Sequence, residues 1–338
     1  MSRLFATPFV HCVDDMICIE RLSTIHSGFH SWRLFADLCG WNIPDSKSPL
    51  PAQVFMALGA ELRLAPLPLS DASVRITAER AKALRNELMS ILKASRLMPG
   101  HAARIGGKLG FAVTQLFGRI GKAKLRPFLR RQYERSRSNL NAQLIAAIEW
   151  WLYELKFCRP RLIPRALNTR KTIVSYSDGE GADAFIGIAA WSSASTRPVA
   201  GRIAVPDAVR RRWESRRHTA STADLRHSSR EYTDIYEIEA LGPLLVLHNF
   251  EDLLQGAFWM HYIDNAAALA GMIRGSSSVS SGDEIIGETW SRIHKLDVLA
   301  WFDRVESKSN PVDGLSRGDL RGMWELVDIS VPASILTG

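Results

Sequence analysis

The stretch "TIVSYSDGEGADAFIGIAAWSS", residues 172–193, constrains this chain more than any other. Two short apolar runs rich in β-branched and aromatic residues flank a turn holding Gly179 and Gly181. Runs of this length bounded by Gly and Asp read as neighbouring strands, the first ending in Asp178. Upstream, "KFCRPRLIPR" (156–165) interrupts a helical pattern with two prolines, and downstream the helical texture returns. A strand-and-helix domain is therefore expected from about residue 169.

The rest of the chain falls into blocks of different texture. Residues 1–64 hold strand-like pieces around "FVHCVDD" and "AQVFMALGAEL" and a helical stretch, "TIHSGFHSWRLFADLCG", that Gly40 closes. "LAPLPLS" (64–70) reads as a linker. From Thr77 the spacing is helical, with Leu84, Leu88, Ile91 and Leu92 on one face and later Leu140, Leu144, Ile148, Trp151, Leu152 and Leu155 on another. The expected division is 1–64, a helical region over 65–168, an α/β domain over 169–322 and a tail, 323–338.

Composition sets the class. The 338 residues are 46% hydrophobic and 23% charged, as expected of a soluble chain of more than one domain. No apolar run is long enough for a membrane span and the N-terminus lacks the pattern of a secretory signal, so an intracellular protein of cytoplasm or nucleus is expected. Cys12, Cys18, Cys39 and Cys158 make no C-x-x-C pair and read as buried thiols rather than a disulfide framework or zinc site. The net charge of +8 is concentrated. "GRIGKAKLRPFLRRQYERSR" (118–137) carries eight Lys or Arg against the one acid Glu134, and "VRRRWESRRH" (209–218) repeats the signal. Clustered arginines favour a polyanion, and nucleic acid over a membrane surface, with Arg119, Lys122, Lys124, Arg126, Arg130 and Arg131 as candidate contacts. Trp150, Trp151, Trp290 and Trp301 read as core; Trp213, inside the second basic run, suits either stacking on a base or packing.

The acids carry the chemistry. "FWMHYIDNAAALAGMIRG" places Asp264 at a strand's end before a small-residue helix, "NPVDGLSRGDL" places Asp313 at a helix start, and "IYEIEALGPLLVL" brings Glu237 and Glu239 into an apolar helix. Strand ends are where α/β sheets gather ligand groups. With Asp178, these carboxylates on separate elements make a cation site. All-oxygen ligands suit hard Mg²⁺, with Mn²⁺ as a substitute.

Strand-Asp-Gly, a helix-borne Glu, strand-"IDN" and "NPVDGLSR", in that order over about 169–322, resemble the ribonuclease H domain of retroelement reverse transcriptases. The resemblance implies a five-stranded mixed sheet flanked by helices. It also implies a site of Asp178, Glu239, Asp264 and Asp313, with Glu237 as the alternative glutamate, two Mg²⁺ ions, and cleavage of RNA in an RNA–DNA hybrid. The span 169–322 is expected to fold and cut without the rest.

Upstream of such a domain, "HCVDDMI" resembles the paired-aspartate hairpin of a reverse transcriptase palm, with Asp14 and Asp15 as its acids. "LFADLCGWNIPDSKSPLPAQVFMALGAEL" is similar to the palm that follows, and "RLMPGHAARIGGKLGFAVTQLFGRIGKAKLRPFLRRQ" to the thumb and connection. Two departures matter. Only 13 residues precede Asp14, and Cys12 stands where the family usually has an aromatic residue. The first block is therefore expected to be a truncated palm, with Asp14 and Asp15 a relic of polymerisation. Three readings follow: a hybrid-specific nuclease that is part of a retroelement polyprotein; a silent nucleic-acid-binding remnant; and an RNA-directed DNA polymerase, if other sequence completes the palm.

Overall fold

The computed structural model describes residues 9–12, 15–64, 71–115, 118–134, 138–164, 170–192, 197–218, 234–322 and 324–337. The chain divides into two compact units, residues 1–83 with 156–165 and residues 84–155 with 166–338.

In the first unit, β1 (Phe9–Cys12) and β2 (Asp15–Cys18) form an antiparallel hairpin with Cys12 opposite Asp15. Asp14 lies outside the described residues. Helix α1 (Ile25–Leu38) ends at Cys39 and Gly40, the latter in the left-handed region that glycine tolerates. The Trp32, Phe35 and Trp41 rings gather with centroids 5.9–6.4 Å apart. "AQVFMALGAEL" is not one strand but two, β3 (Val54–Ala57) and β4 (Ala60–Arg63), because Leu58 and Gly59 both take positive φ and reverse the chain in two residues. β5 (Ala72–Ile76) and β6 (Arg161–Ile163) complete an antiparallel sheet of order β3-β4-β5-β6. The proline-flanked "RPRLIPR" thus contributes an edge strand, where a missing backbone donor is tolerated.

Helices α2 (Ala78–Ala94), α3 (Pro99–Gln115), α4 (Arg126–Arg131) and α5 (Ala142–Phe157) follow the apolar spacing: Leu84, Leu88, Ile91, Leu144, Ile148, Trp151 and Leu155 are buried. Residues 84–155 share a unit with the C-terminal sheet because Ile120 and Trp150 enter its core.

That sheet starts with an antiparallel meander, β7 (Thr172–Gly179), β8 (Phe185–Ser192) and β9 (Val199–Ala204). Helices α6 (Asp207–His218), α7 (Ile235–Asn249) and α8 (Glu251–Leu254) follow. β10 (Phe258–Ile263) then pairs parallel to β7, and after α9 (Ala266–Arg274) and α10 (Ser280–Lys295), β11 (Leu299–Arg304) pairs parallel to β10. The short α11 (Asp313–Ser316) precedes β12 (Glu325–Leu326), parallel to β9, and α12 (Ala333–Thr337) closes the chain. The order is β11-β10-β7-β8-β9-β12, a mixed sheet in an α/β unit.

The sixth strand comes from the expected tail, which is packed: Val331 and Ile335 lie in the main core, and Arg212 donates to the carbonyls of Ile335 and Leu336. Other expectations are corrected. Cys18 and Cys39 are exposed thiols, not buried ones. Trp213 is fully buried, whereas Trp301 is 56% exposed because strand alternation turns it outward from its core neighbour Phe302. No helix among the described residues is long and apolar enough to cross a membrane.

Candidate metal centre

Three of the acids converge. Asp178, Glu239 and Asp264 each offer an oxygen, and these atoms all lie within 4.8 Å of one another, so the group can hold a metal ion. Asp178 stands near the end of β7, and Asp264 directly follows β10, the parallel neighbour of β7. Between the two strands runs a buried polar tie. Trp259 Nε1 donates to Ser175 Oγ at 2.6 Å, while the Ser175 and Ser177 hydroxyls bond His261 Nδ1 and Nε2 at 2.7 and 3.0 Å. Burial holds the His261 imidazole down at about 3, so it is neutral and ties the strands without adding charge.

Glu239 arrives from the helix. A Cβ on Gly242 of α7 would collide with Ser177 Oγ, so only glycine lets the helix settle this close to β7. Successive strand residues face opposite ways. Ser177 meets α7, and Asp178 meets α11 on the other face, its Oδ2 accepting from Ser316 Oγ at 2.5 Å. Gly179 ends the strand without a side chain and leaves room for the Glu239 carboxyl to meet Asp178 there. Asn310 completes the support, donating from Nδ2 to the Ser177 carbonyl at 3.0 Å and to Asp178 Oδ1 at 3.4 Å.

The electrostatics are those of a crowded acid site. Burial first, then Asp264 and Asp178, push the Glu239 carboxyl up to about 9; burial pushes Asp178 up to about 6, opposed by its Ser316 hydrogen bond. Glu239 Oε2 is buried and has no hydrogen-bond partner. An orphaned buried oxygen among like charges fits a hard cation, which would supply the missing positive charge.

Asp313 does not join this group. Its Oδ1 accepts from Arg317 Nε and Nη2 at 3.1 and 2.8 Å, one helical turn on. It stands at the rim, close enough for its charge to raise the Asp178 carboxyl, and its carbonyl accepts from the same Ser316 hydroxyl that holds Asp178. Glu237 is elsewhere: fully buried, it accepts from Ser281 Oγ at 2.6 Å. His294 lies within α10, 3.8 Å from Glu154. The support from Ser316 and Asn310 was not read from the sequence. Its only signal is that both flank Asp313 in "NPVDGLSR".

Of the basic candidates Arg131 is enclosed, while the other five are partly exposed and several also make contacts within the protein. Arg119 donates to the Ile273 carbonyl at 2.8 Å and stacks over Trp290; Arg126 and Arg130 lie 2.6 and 3.9 Å from the buried Asp283. Burial pushes the Asp283 carboxyl up to about 6, against the Ser277 N–H and these cations. Arg131 is 1% exposed, donates to the Asn139 carbonyl at 2.8 Å and pairs with Glu134. This inward placement is at odds with the expected phosphate contact and corrects it, because a buried guanidinium held by backbone oxygens cannot face a polyanion. Lys122 and Lys124 are half-buried.

Protein-family models give no match to this chain, and a search of the curated proteins gives none either.

Proposed function

We propose that the second unit is a ribonuclease H-like, metal-dependent endonuclease that cuts the RNA strand of an RNA–DNA hybrid, within a chain of retroelement reverse transcriptase origin. The observation that carries this reading is the convergence of Asp178, Glu239 and Asp264 from a strand, a helix and the neighbouring parallel strand. The sheet supports it: an antiparallel meander extended by two parallel strands agrees with the expected mixed sheet.

In this reading Asp178, Glu239 and Asp264 would hold two Mg²⁺ ions, and Asp313 at the rim would add its charge to the site. Bound divalent ions would activate a water and stabilise the leaving oxygen of a phosphodiester. Ser316 and Asn310 orient Asp178, and the His261 tie holds the two aspartate-bearing strands at a constant separation. The 2′-OH distinguishes the strand to be cut.

The test is Asp264→Asn. The amide keeps the carboxylate's shape but removes the charge that holds the cation, so cleavage of a labelled hybrid falls by about a hundredfold or more. Fold is retained, and metal-linked thermal stabilisation shrinks. A variant cutting at the wild-type rate would exclude Asp264 from the site. Wild type that neither cuts nor gains stability from Mg²⁺ would leave the silent-remnant reading in its place.

A further inference from the structure

Asp313 and Arg317 form a pair whose two halves differ in what they can do. The Asp313 carboxylate stands at the rim of the acid site with about a third of its side chain exposed, while the Arg317 side chain is 67% exposed. The Asp313 backbone is tied to the site through Ser316, which bonds both the Asp313 carbonyl and Asp178. The carboxylate is paired with Arg317 and lies outside the three-acid group. A nearby arginine, Arg202, is different: its Nε donates to the Ser316 carbonyl at 2.9 Å and its guanidinium lies against the Phe185 ring, so it buttresses α11. Arg317 donates to Asp313 through Nε and Nη2 and also feels the charges of Asp178 and Glu180, and its fork of donors matches either a carboxylate or a phosphate.

We propose that Arg317 is a phosphate-binding residue kept in reserve by Asp313. While the site holds no cation, the Asp313 carboxylate occupies the guanidinium. When Asp313 turns to a divalent cation, Arg317 is released beside the site and pairs with a backbone phosphate of the bound strand. The physical basis is competition. Both Arg317 donors fall on Asp313 Oδ1, so a cation that draws on this carboxylate weakens the pair, and an exposed guanidinium beside a bound polyanion can form a charge-assisted bond to a phosphate oxygen. The pairing is with phosphate, so it carries no base preference. It rests on the nuclease reading for the identity of the strand, not for the exchange itself.

The experiment compares wild type, Arg317→Ala and Arg317→Lys. Affinity for an RNA–DNA hybrid is measured by fluorescence anisotropy in Ca²⁺ and in EDTA, and Mg²⁺ titrations are followed by thermal melting. Because Arg317 is exposed, both variants should fold. With the cation present, Arg317→Ala binds hybrid about tenfold more weakly and lowers the slope of log K against log salt by about one; in EDTA the loss is under about twofold. The Mg²⁺ concentration for half-maximal stabilisation falls in Arg317→Ala, because Asp313 no longer has a competing partner. Arg317→Lys keeps the charge without the fork and recovers part of the affinity. Equal losses with and without cation, or unchanged affinity in both, would overturn the proposal. The nuclease reading fails separately: wild type that cuts no hybrid, while Arg317→Ala still loses affinity only with cation, removes the cleavage and leaves the exchange.

Discussion

At the scale of single residues, the acid site works against the fold that holds it. Glu239 in the native state keeps a proton that the unfolded chain, with an ordinary value of 4.5, has lost, since burial and the neighbouring aspartates raise it to about 9. A raised carboxyl stabilises below its unfolded value and loses that contribution as pH climbs through its folded value. Asp178 acts likewise between 3.8 and about 6. In the absence of divalent cations, Glu239→Gln, which cannot ionise, is therefore expected to be more stable than wild type near pH 8, on the order of 3 kcal/mol, with the gap closing toward pH 4. Urea unfolding across that range measures it. Adding Mg²⁺ should restore wild type selectively, since only the carboxylate holds the ion. A gap that does not change with pH would count against a buried, ionisable Glu239.

At the scale of elements, the site depends on a helix of one turn. Helix α11 is four residues long and has no stability of its own, so its place is set by what it rests on. It rests on β8. A Cβ on Gly187 would come within 2.8 Å of the Ser316 nitrogen and 3.2 Å of the Val312 carbonyl oxygen. Gly187→Ala must push the turn off the sheet, and with it the hydroxyl that holds Asp178. The expected result is a loss of about 1–3 kcal/mol in stability and a larger loss of Mg²⁺-linked stabilisation. Ser316→Ala should reproduce the second effect with less of the first, because it removes the hydrogen bond and leaves the docking. Thermal melts of both variants with and without Mg²⁺ separate the two, and a Gly187→Ala protein indistinguishable from wild type in both would show that the turn does not need this contact.

At the scale of the whole molecule, the α/β unit is larger than its acid motifs. Ile120 and Trp150 from before the sheet and Val331 and Ile335 from after it share one core with the strands. Ile329 rests where a Cβ on Gly201 would stand. A chain stopped after residue 322 loses these side chains, the sixth strand and the two carbonyls that receive Arg212. The expected cost is roughly 3–5 kcal/mol, from the burial of two or three aliphatic side chains. It is measured as a lower urea midpoint relative to the full chain, and an equal midpoint would show that 323–338 adds nothing to the core. For the same reason, the span 169–322 excised alone leaves the faces that receive Ile120 and Trp150 uncovered.

Local pattern was enough to place the first strands of the main sheet, the long amphipathic helices and the acids at strand ends, but not the turn at Leu58 and Gly59 or the strands at Arg161–Ile163 and Glu325–Leu326. Alternation and helical spacing are short-range properties, so Ile173 to Asp178, Leu84 to Ile91 and the strand before Asp264 were legible from neighbours alone. What the tertiary structure decided are choices between residues whose local settings look alike. Glu237 and Glu239 are two positions apart on one apolar helix and both buried, yet only the second faces Asp178. Trp213 lies among arginines and is core, while Trp301 lies among apolar residues and is exposed. Arg131 reads as surface charge and is enclosed. Each depends on what packs against a face, and those partners come from far along the chain: the hydroxyl that orients Asp178 belongs to a residue 138 positions away. A sequence states which residues can share a face; only the closing of the core determines what that face meets.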